Sequence, residues 1–481
     1  MQYHSTRSDS PLVDSAQAVL QGLASDGGLY LPETLPAINW QDCVRSSTLE
    51  MAEKILTAFL PDIPDMGALV QKAYVGKFET DELTPTVSVG DFSVLELFRG
   101  PTSAFKDVAL SMLPQLMTAA KAAKGDKEDI LILTATSGDT GKAALVGFQD
   151  VPGIRICVFY PDGGVSQVQR RQMVSQEGEN VTVCAVKGNF DDAQTGVKQI
   201  FSTCQDKPLP FRLSSANSIN IGRLAPQITY YFKAYRDLLD AGKIQMGDEV
   251  NFSVPTGNFG DILAGYLAKR LGLPVGKLIC ASNANNVLTD FIRTGTYDKR
   301  RPLHKTDSPS MDILVSSNLE RLLYLLSGDT ALVAKLMKKL DTDGYYTVPE
   351  TLKNEIQTLF WAGFCDDTVA AAAIGRVFEN HRYLCDTHTA TGWAVAEDYV
   401  NQAGDRRPMV VLSTASPYKF PAAVLSALGG SLSGDEFTLM ERLSNLSGVP
   451  VPKNLSGLRE KPERHTSVIS KEEMLSFVLN L

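Results

Sequence analysis

The sequence predicts an α/β fold with two parallel-sheet lobes, helices on both faces of each sheet, and extensions at both ends. Three observations carry this. Apolar, β-rich runs alternate with helical patterns from residue 93 onward, the signature of parallel strands joined by crossover helices. Runs such as DILILTAT (129–136) and RICVFYP (155–161) are almost continuously apolar, as strands buried on both faces must be. A chain of 481 residues, 44% of them hydrophobic, exceeds what one core accommodates and divides into two or three domains.

In chain order, residues 1–85 read as helical, interrupted by the turn-rich DGGLYLPETLP at 26–36. The proline-bearing polar stretch ETDELTPTVSV (79–89) marks a boundary. Strands are expected at 93–98, 129–134, 154–160, 181–187, 250–254, 277–281 and 409–413. Helices are expected at 191–204, 260–271 and 367–380. Residues 286–403 read as mostly helical, and the tail, with VPKNLSGLREKPER at 451–464, reads as a surface extension. The expected division is an N-terminal mainly helical domain (1–88), a small α/β lobe (89–205), a large α/β lobe (206–433) and a C-terminal extension (434–481). No internal repeat or low-complexity block is evident.

Composition excludes several function classes. A net charge of -9 makes a general nucleic-acid binder improbable on electrostatic grounds, and plain solubility accounts for it. No apolar run reaches the ~18 residues of a membrane span. The N-terminal MQYHSTRSDSP lacks the apolar core of a secretory signal. Seven cysteines are scattered without a CxxC pair and five histidines lack ligand spacing. This pattern fits a cytoplasmic, reducing setting and gives no metal site.

Two strand–loop–helix junctions suit an anion. In ILTATSGDTGKAALVGF (132–148), a strand ends near Thr134 and a helix begins near Gly141. Between them lie small hydroxyls and glycines at a helix N-terminus, where backbone N–H groups are free. Neither GxxxxGK[ST] nor GxGxxG is present, and an ordinary capped turn is the plain alternative. In VNFSVPTGNFGDILAGYLAKRLG (250–272), Gly257 and Gly260 permit close backbone approach and Asn258 tolerates left-handed conformations. Its helix aims its N-terminus at whatever the loop holds, and a phosphate fits. Two such loops in one α/β chain reinforce each other, because strand C-terminal ends are where these folds bind ligands.

GPTSAFKDVAL (100–110) places Lys106 near a helix start, where positive charge is disfavoured by the helix dipole. With Ser103 as N-cap, Lys106 is the third helical residue. Its facial neighbours Ala109, Leu110, Leu113 and Met117 are apolar, whereas Asp107 leads to the more polar Ser111, Gln115 and Thr118. Pro114 is a place for the helix to bend or end. Desolvation and the dipole both lower the amine's pKa, making it available as a base or Schiff-base nucleophile. The ordinary alternative is a lysine whose stem lies on apolar surface while its amine reaches water. The flanking hydroxyls Thr102 and Ser103 and the two anion loops favour the reactive reading. A reactive lysine plus a phosphate cradle suggests pyridoxal 5'-phosphate, whose pyridine nitrogen needs a third partner. The end of a strand in VVLSTASPYKF (410–420) offers hydroxyls for it.

These residues resemble the threonine synthase family, within the fold type II (tryptophan-synthase-β-like) pyridoxal phosphate enzymes, over nearly the whole chain. FRGPTSAFKD (98–107) resembles the family's lysine motif and is the most specific segment. YHSTR (3–7), DGGLYLPE (26–33), TATSGDTGKAA (134–144), PTGNFGD (255–261), YLCDTHTATG (383–392) and LSGLREKPER (455–464) also match. The resemblance implies a cofactor in the cleft between the lobes. Lys106 would be the Schiff-base lysine and proton shuttle. Gly257, Asn258, Phe259, Gly260 and Asp261 would hold the cofactor phosphate, and Thr414 would face the pyridine nitrogen. Thr102, Ser103, Ser137, Gly138, Asp139 and Thr140 would surround the substrate and the cofactor ring. In SANSINIGRLAPQ (215–227), Asn220 and Arg223 would hold the substrate phosphate. His388 and Thr389 would line the cleft or its edge. Ser416 stands where the family commonly has His. Asp139 stands where tryptophan-synthase-β relatives carry Asn, which is typical of the long subgroup.

The implied reaction converts O-phospho-L-homoserine and water to L-threonine and phosphate, with a small-molecule substrate, no nucleic acid or membrane partner, and a monomer or weak homodimer. Rival readings are a phospho-lyase of the same family releasing a 2-oxo acid and ammonia, a dehydratase-like enzyme, and a non-catalytic phosphate-ligand-binding protein. The DGGLYLPE segment and the Arg223 region stand against the dehydratase. Because the chain opens directly on the YHSTR segment, an additional N-terminal regulatory region is not expected.

Overall fold

A computed structural model describes residues 1–136, 138–204 and 209–481. The chain opens with β1 (Gln2–Ser5), β2 (Ser8–Asp14) and β3 (Tyr30–Pro32), which form an antiparallel sheet in the order β2-β1-β3. The expected mainly helical start did not include this sheet. The four-residue run QYHS is short, and its burial comes from pairing with two neighbours, a non-local contact that helical periodicity cannot reveal.

The antiparallel hairpin β4 (Thr86–Val89) and β5 (Phe92–Glu96) begins the larger sheet. The chain then builds a second sheet from β6 (Ile130–Ala135), β7 (Ile154–Pro161), β8 (Val181–Val186) and β9 (Arg212–Ser214). It returns to the first with β10 (Val250–Pro255) and β11 (Val275–Ser282), adds a hairpin of β12 (Thr296–Asp298) and β13 (Tyr345–Thr347), and completes the large sheet with β14 (Phe360–Phe364) and β15 (Met409–Ser413). The final strand is β16 (Ser467–Ile469). The six-stranded order is β14-β11-β10-β15-β5-β4, parallel apart from the β4–β5 hairpin; the five-stranded order is β16-β8-β7-β6-β9, parallel throughout. The central strands of the large sheet are buried on two faces, so β10 and β15 are buried at every position.

Each of the seven expected strands is present, and the two-sheet α/β class holds. The linear segments do not follow the sheets, however. β5 joins the large sheet although it lies within 89–205, and β9 joins the small one although it lies beyond 206. The tail is no mere surface extension: β16 pairs with β8, and Leu455 and Leu458 are buried in the second core. The short strand FWAGF of β14 was masked by the helical patterns around it.

The helix Lys106–Lys124 runs straight through Pro114. Proline removes the N–H that would bond Leu110 O. The neighbouring helix Asp139–Phe148 packs against that carbonyl through Gly147, where a Cβ would stand 2.1 Å from Leu110 O. Close packing of that helix against the free carbonyl accompanies the continuous helix at the proline.

Candidate active site

The parallel strands β5, β6, β10 and β15 all deliver their C-terminal ends to one region. Backbone hydrogen bonds extend the β5–β15 pairing past the strands: Leu97 N donates to Ser413 O at 2.9 Å, Phe105 N to Thr414 O at 2.8 Å, and Ser416 N to Ser103 O at 3.1 Å. The lysine loop and the loop after β15, more than 300 residues apart in sequence, thus form one continuous backbone structure.

The helix bearing the lysine begins at Lys106 itself, not two residues earlier. Ser103 is not its N-cap; it adopts a left-handed φ of 59°, an unfavourable conformation for a residue with a Cβ. Asp107 is buried, contrary to its expected polar side. Its carboxylate accepts from Thr102 N at 2.9 Å and Thr102 Oγ1 at 2.5 Å, closing the turn ahead of the helix. Burial raises its pKa despite these hydrogen bonds. The Lys106 face is as expected: Ala109, Leu110, Leu113 and Met117 are buried.

The Lys106 amine lies 4.4 Å from the centroid of the Phe105 ring. The residue keeps some exposed surface, yet protein surrounds its amine closely enough that desolvation dominates, lowering its pKa to about 8. Asp139 and Asp261 push that value up, and Lys419 and Arg223 push it down. Four segments therefore place charge within electrostatic reach of one amine.

The β6 loop is folded on Thr136, whose Oγ1 accepts from Gly138 N at 3.0 Å and Gly141 N at 2.9 Å. Asp139, in the first turn of its helix, is buried. Its Oδ1 lies 2.6 Å from Lys419 Nζ and accepts from Gln169 Nε2 at 2.9 Å. Burial opposes its ionisation, but Lys419 and Lys106 outweigh burial and hold the carboxyl below the usual range. Thr140 is half-buried beside it. Ser137 lies outside the described residues.

The β10 loop fits a phosphate. Gly257 O accepts from Ser316 Oγ at 2.7 Å and Asn258 O from Asn318 N at 3.0 Å. No hydrogen bond among the described residues uses the N–H groups of Gly257, Asn258 or Phe259. Phe259 is buried with a left-handed φ of 64°, immediately before the helix Gly260–Arg270. Three consecutive free N–H groups at a helix N-terminus form an anion cradle. The Asp261 side chain turns away from it: Oδ1 accepts from Tyr230 OH at 2.6 Å and Tyr231 OH at 3.1 Å, and Oδ2 has no partner. Burial raises its pKa to about 6, against the opposing effect of the two tyrosines.

Arg223 is buried, donates from Nη1 to Ala216 O at 2.7 Å, and has no partner for Nε. Desolvation lowers its pKa to about 10. A buried guanidinium with an unused donor fits an incoming anion. Asn220 is held in place beside it: Oδ1 caps its helix through Gly222 N at 2.8 Å, and one Nδ2 N–H donates to Val19 O at 2.9 Å. Both ends of its amide are engaged in architecture. Thr414 is buried at the lysine loop.

Several contributors escaped sequence reasoning. Lys419, fully buried, lay inside the quoted VVLSTASPYKF, where a lysine in an apolar run was the available signal. Asn454 donates from Nδ2 to Pro101 O at 2.9 Å and lies 2.8 Å from Ser103 Oγ. His388 was expected at the cleft edge; it is buried and acts behind the cradle. Because its Nε2 accepts from Ser310 N at 3.1 Å, Nδ1 carries the ring proton and donates to Asp386 Oδ2 at 2.6 Å.

Family comparison agrees with this geometry. The threonine synthase N-terminus model matches residues 2–74, the pyridoxal-phosphate dependent enzyme model 81–350, and the threonine synthase C-terminal model 389–478. The chain belongs to the threonine synthase family of pyridoxal-phosphate-dependent enzymes. A threonine synthase of Pseudomonas aeruginosa is 41% identical, with 89% of this chain and 90% of that protein covered. The threonine synthase-like 1 protein of Homo sapiens is 39% identical over 86% of this chain, which spans only 58% of that relative's length. The crystal structure of a PLP-bound threonine synthase from Brucella melitensis superposes with a TM-score of 0.88 at 40% identity, covering 100% of this chain and 98% of that one. The family cofactor is pyridoxal phosphate, and the near-neutral Lys106 amine and the free N–H groups of the β10 loop fit its aldehyde and its phosphate.

Proposed function

We propose that this chain is a threonine synthase, converting O-phospho-L-homoserine and water to L-threonine and phosphate. The observation that carries this reading is a Lys106 amine poised near neutrality within electrostatic reach of buried Arg223, a cation with an unused donor. The names of the relatives support it.

In this reading Lys106 would hold the cofactor covalently, Gly257, Asn258, Phe259 and Gly260 would hold its phosphate through backbone N–H groups, and Thr414 would serve its ring nitrogen. Pyridoxal phosphate supplies the electron sink that stabilises negative charge at the substrate Cα. The Lys106 amine would remove the proton at Cα, move protons at Cβ and return one to Cγ as it becomes the methyl group, a role for which a pKa near the working pH is suited. Arg223 binds the substrate phosphate and steadies its charge as the Cγ–O bond breaks. Gly138, Asp139 and Thr140 cover the substrate carboxylate end, and water adds at Cβ. Asp261 acts through the framework, and the second Nδ2 N–H of Asn220 would join Arg223 at the substrate phosphate. A cytoplasmic setting and a monomer or weak homodimer belong to the same proposal; the seven free, buried cysteines support the setting. Among the described residues, no helix is long and apolar enough to cross a membrane.

The deciding experiment incubates the cofactor-loaded protein with O-phospho-L-homoserine and quantifies threonine, phosphate, 2-oxobutyrate and ammonia. Threonine and phosphate in equal amounts are expected, with K106A inactive but folded. Formation of 2-oxobutyrate and ammonia instead would identify a phospho-lyase, and full activity of K106A would remove Lys106 from the chemistry.

A further inference from the structure

Lys419 is a buried group whose position links three parts of the site. It lies in the short turn after β15, and its side chain is fully buried. Its amine is 2.6 Å from Asp139 Oδ1 on the β6 loop and donates to Thr102 O at 3.1 Å on the lysine loop. The Asp139 side chain is likewise buried, and Gln169 donates to the same carboxylate oxygen.

The charged groups facing Lys106 are Asp139 from the β6 loop, Asp261 from the helix after β10, Arg223 from the helix Ile221–Asp240, and Lys419 from the turn after β15. An anion near an amine favours the protonated amine, and a buried carboxylate without a cation does so strongly. Asp139 is an anion of that kind, but its charge is matched by Lys419 at hydrogen-bond distance. Removing one member of such a pair leaves the other uncompensated, whereas removing both restores neutrality.

We propose that Lys419 is a positioning residue for Lys106: by pairing with Asp139 and anchoring Thr102, it stops the Asp139 carboxylate from holding a proton on the Lys106 amine. The reactive lysine is thereby kept easier to deprotonate by a second lysine that never meets the reacting atoms. A helix N-terminus and an apolar face alone do not achieve this beside a buried aspartate.

The proposal rests on the reading of Lys106 as the reactive amine, and its test needs no turnover. In the full-length, cofactor-free chain, Lys106 is titrated by the pH dependence of its acylation with acetic anhydride, read by peptide mass spectrometry. K419M is expected to raise the midpoint by about one pH unit or more. K419R, which keeps the charge, is expected to leave it within a few tenths. D139N, which leaves Lys419 unmatched, is expected to lower it, and D139N/K419M to return it close to the native value. An unchanged midpoint in K419M, or a double variant as high as K419M, would overturn the proposal. Should K419M fail to fold, D139N and K419R decide: a rise in D139N, or a shift of a full unit in K419R, would overturn it. Failure of the phosphohomoserine assay with this titration pattern intact would remove the proposed reaction and leave the role of Lys419 standing.

Discussion

Lys106 and Asp261 are both desolvated ionisable groups whose pKa values move toward neutrality, and desolvation is the leading cause for each. Their consequences differ. A neutral amine is chemically useful, whereas the raised Asp261 carboxyl is a stability liability. Its folded-state pKa of about 6 lies above the ordinary 3.8. The folded chain therefore binds the extra proton between those values, and stability falls as pH rises through that window. D261N, which retains an acceptor for Tyr230 and Tyr231, is expected to melt at higher temperature than the native chain above pH 6. The gap should close as pH falls toward 4. Thermal unfolding followed across pH measures it, and a pH-independent gap would contradict the assignment. At this scale the apolar face of Lys106 was legible in sequence because helical spacing is local. The true helix start and the burial of Asp107 were not, because both depend on the left-handed Ser103 and on how the loop closes.

At the scale of elements, each strand-to-helix junction is tuned by what packs behind it. The β10 loop is held by Ser316 and Asn318 and pressed against the turn carrying Ser310, where a Cβ on Gly257 would stand 2.8 Å from Ser310 O. That oxygen is backbone, and the adjoining N–H is pinned to His388. G257A is therefore expected to displace the loop and weaken pyridoxal phosphate binding by about tenfold or more. Equilibrium dialysis of the cofactor checks this, and an unchanged dissociation constant would show that the cradle tolerates a side chain. The glycines of PTGNFGD were recognisable from sequence as close-approach positions. The atoms that approach them were not, since Ser310 and His388 are far along the chain.

For the molecule as a whole, segments near both ends hold the framework around the candidate site. From the N-terminal region Val19 O receives Asn220, and Tyr30 O receives the fully buried Arg321 at 3.2 Å. From the C-terminal region Asn454 reaches the lysine loop at Pro101 and Ser103. N454A is expected to lower the melting temperature by about 1–2 °C and to reduce turnover through a less constrained Ser103. Calorimetry together with steady-state kinetics tests this, and native values for both would confine the extension to packing. Local patterns in the sequence determined the two-sheet α/β class, the seven principal strands, two anion-fitting loops and one lysine in an unusual place. Tertiary structure decided that β15 lies between β5 and β10, that Lys419 meets Asp139, and that both termini brace the active centre. The reason is physical: periodicity and turn chemistry act within a few residues, whereas strand order and buried ion pairs arise from contacts between segments hundreds of residues apart.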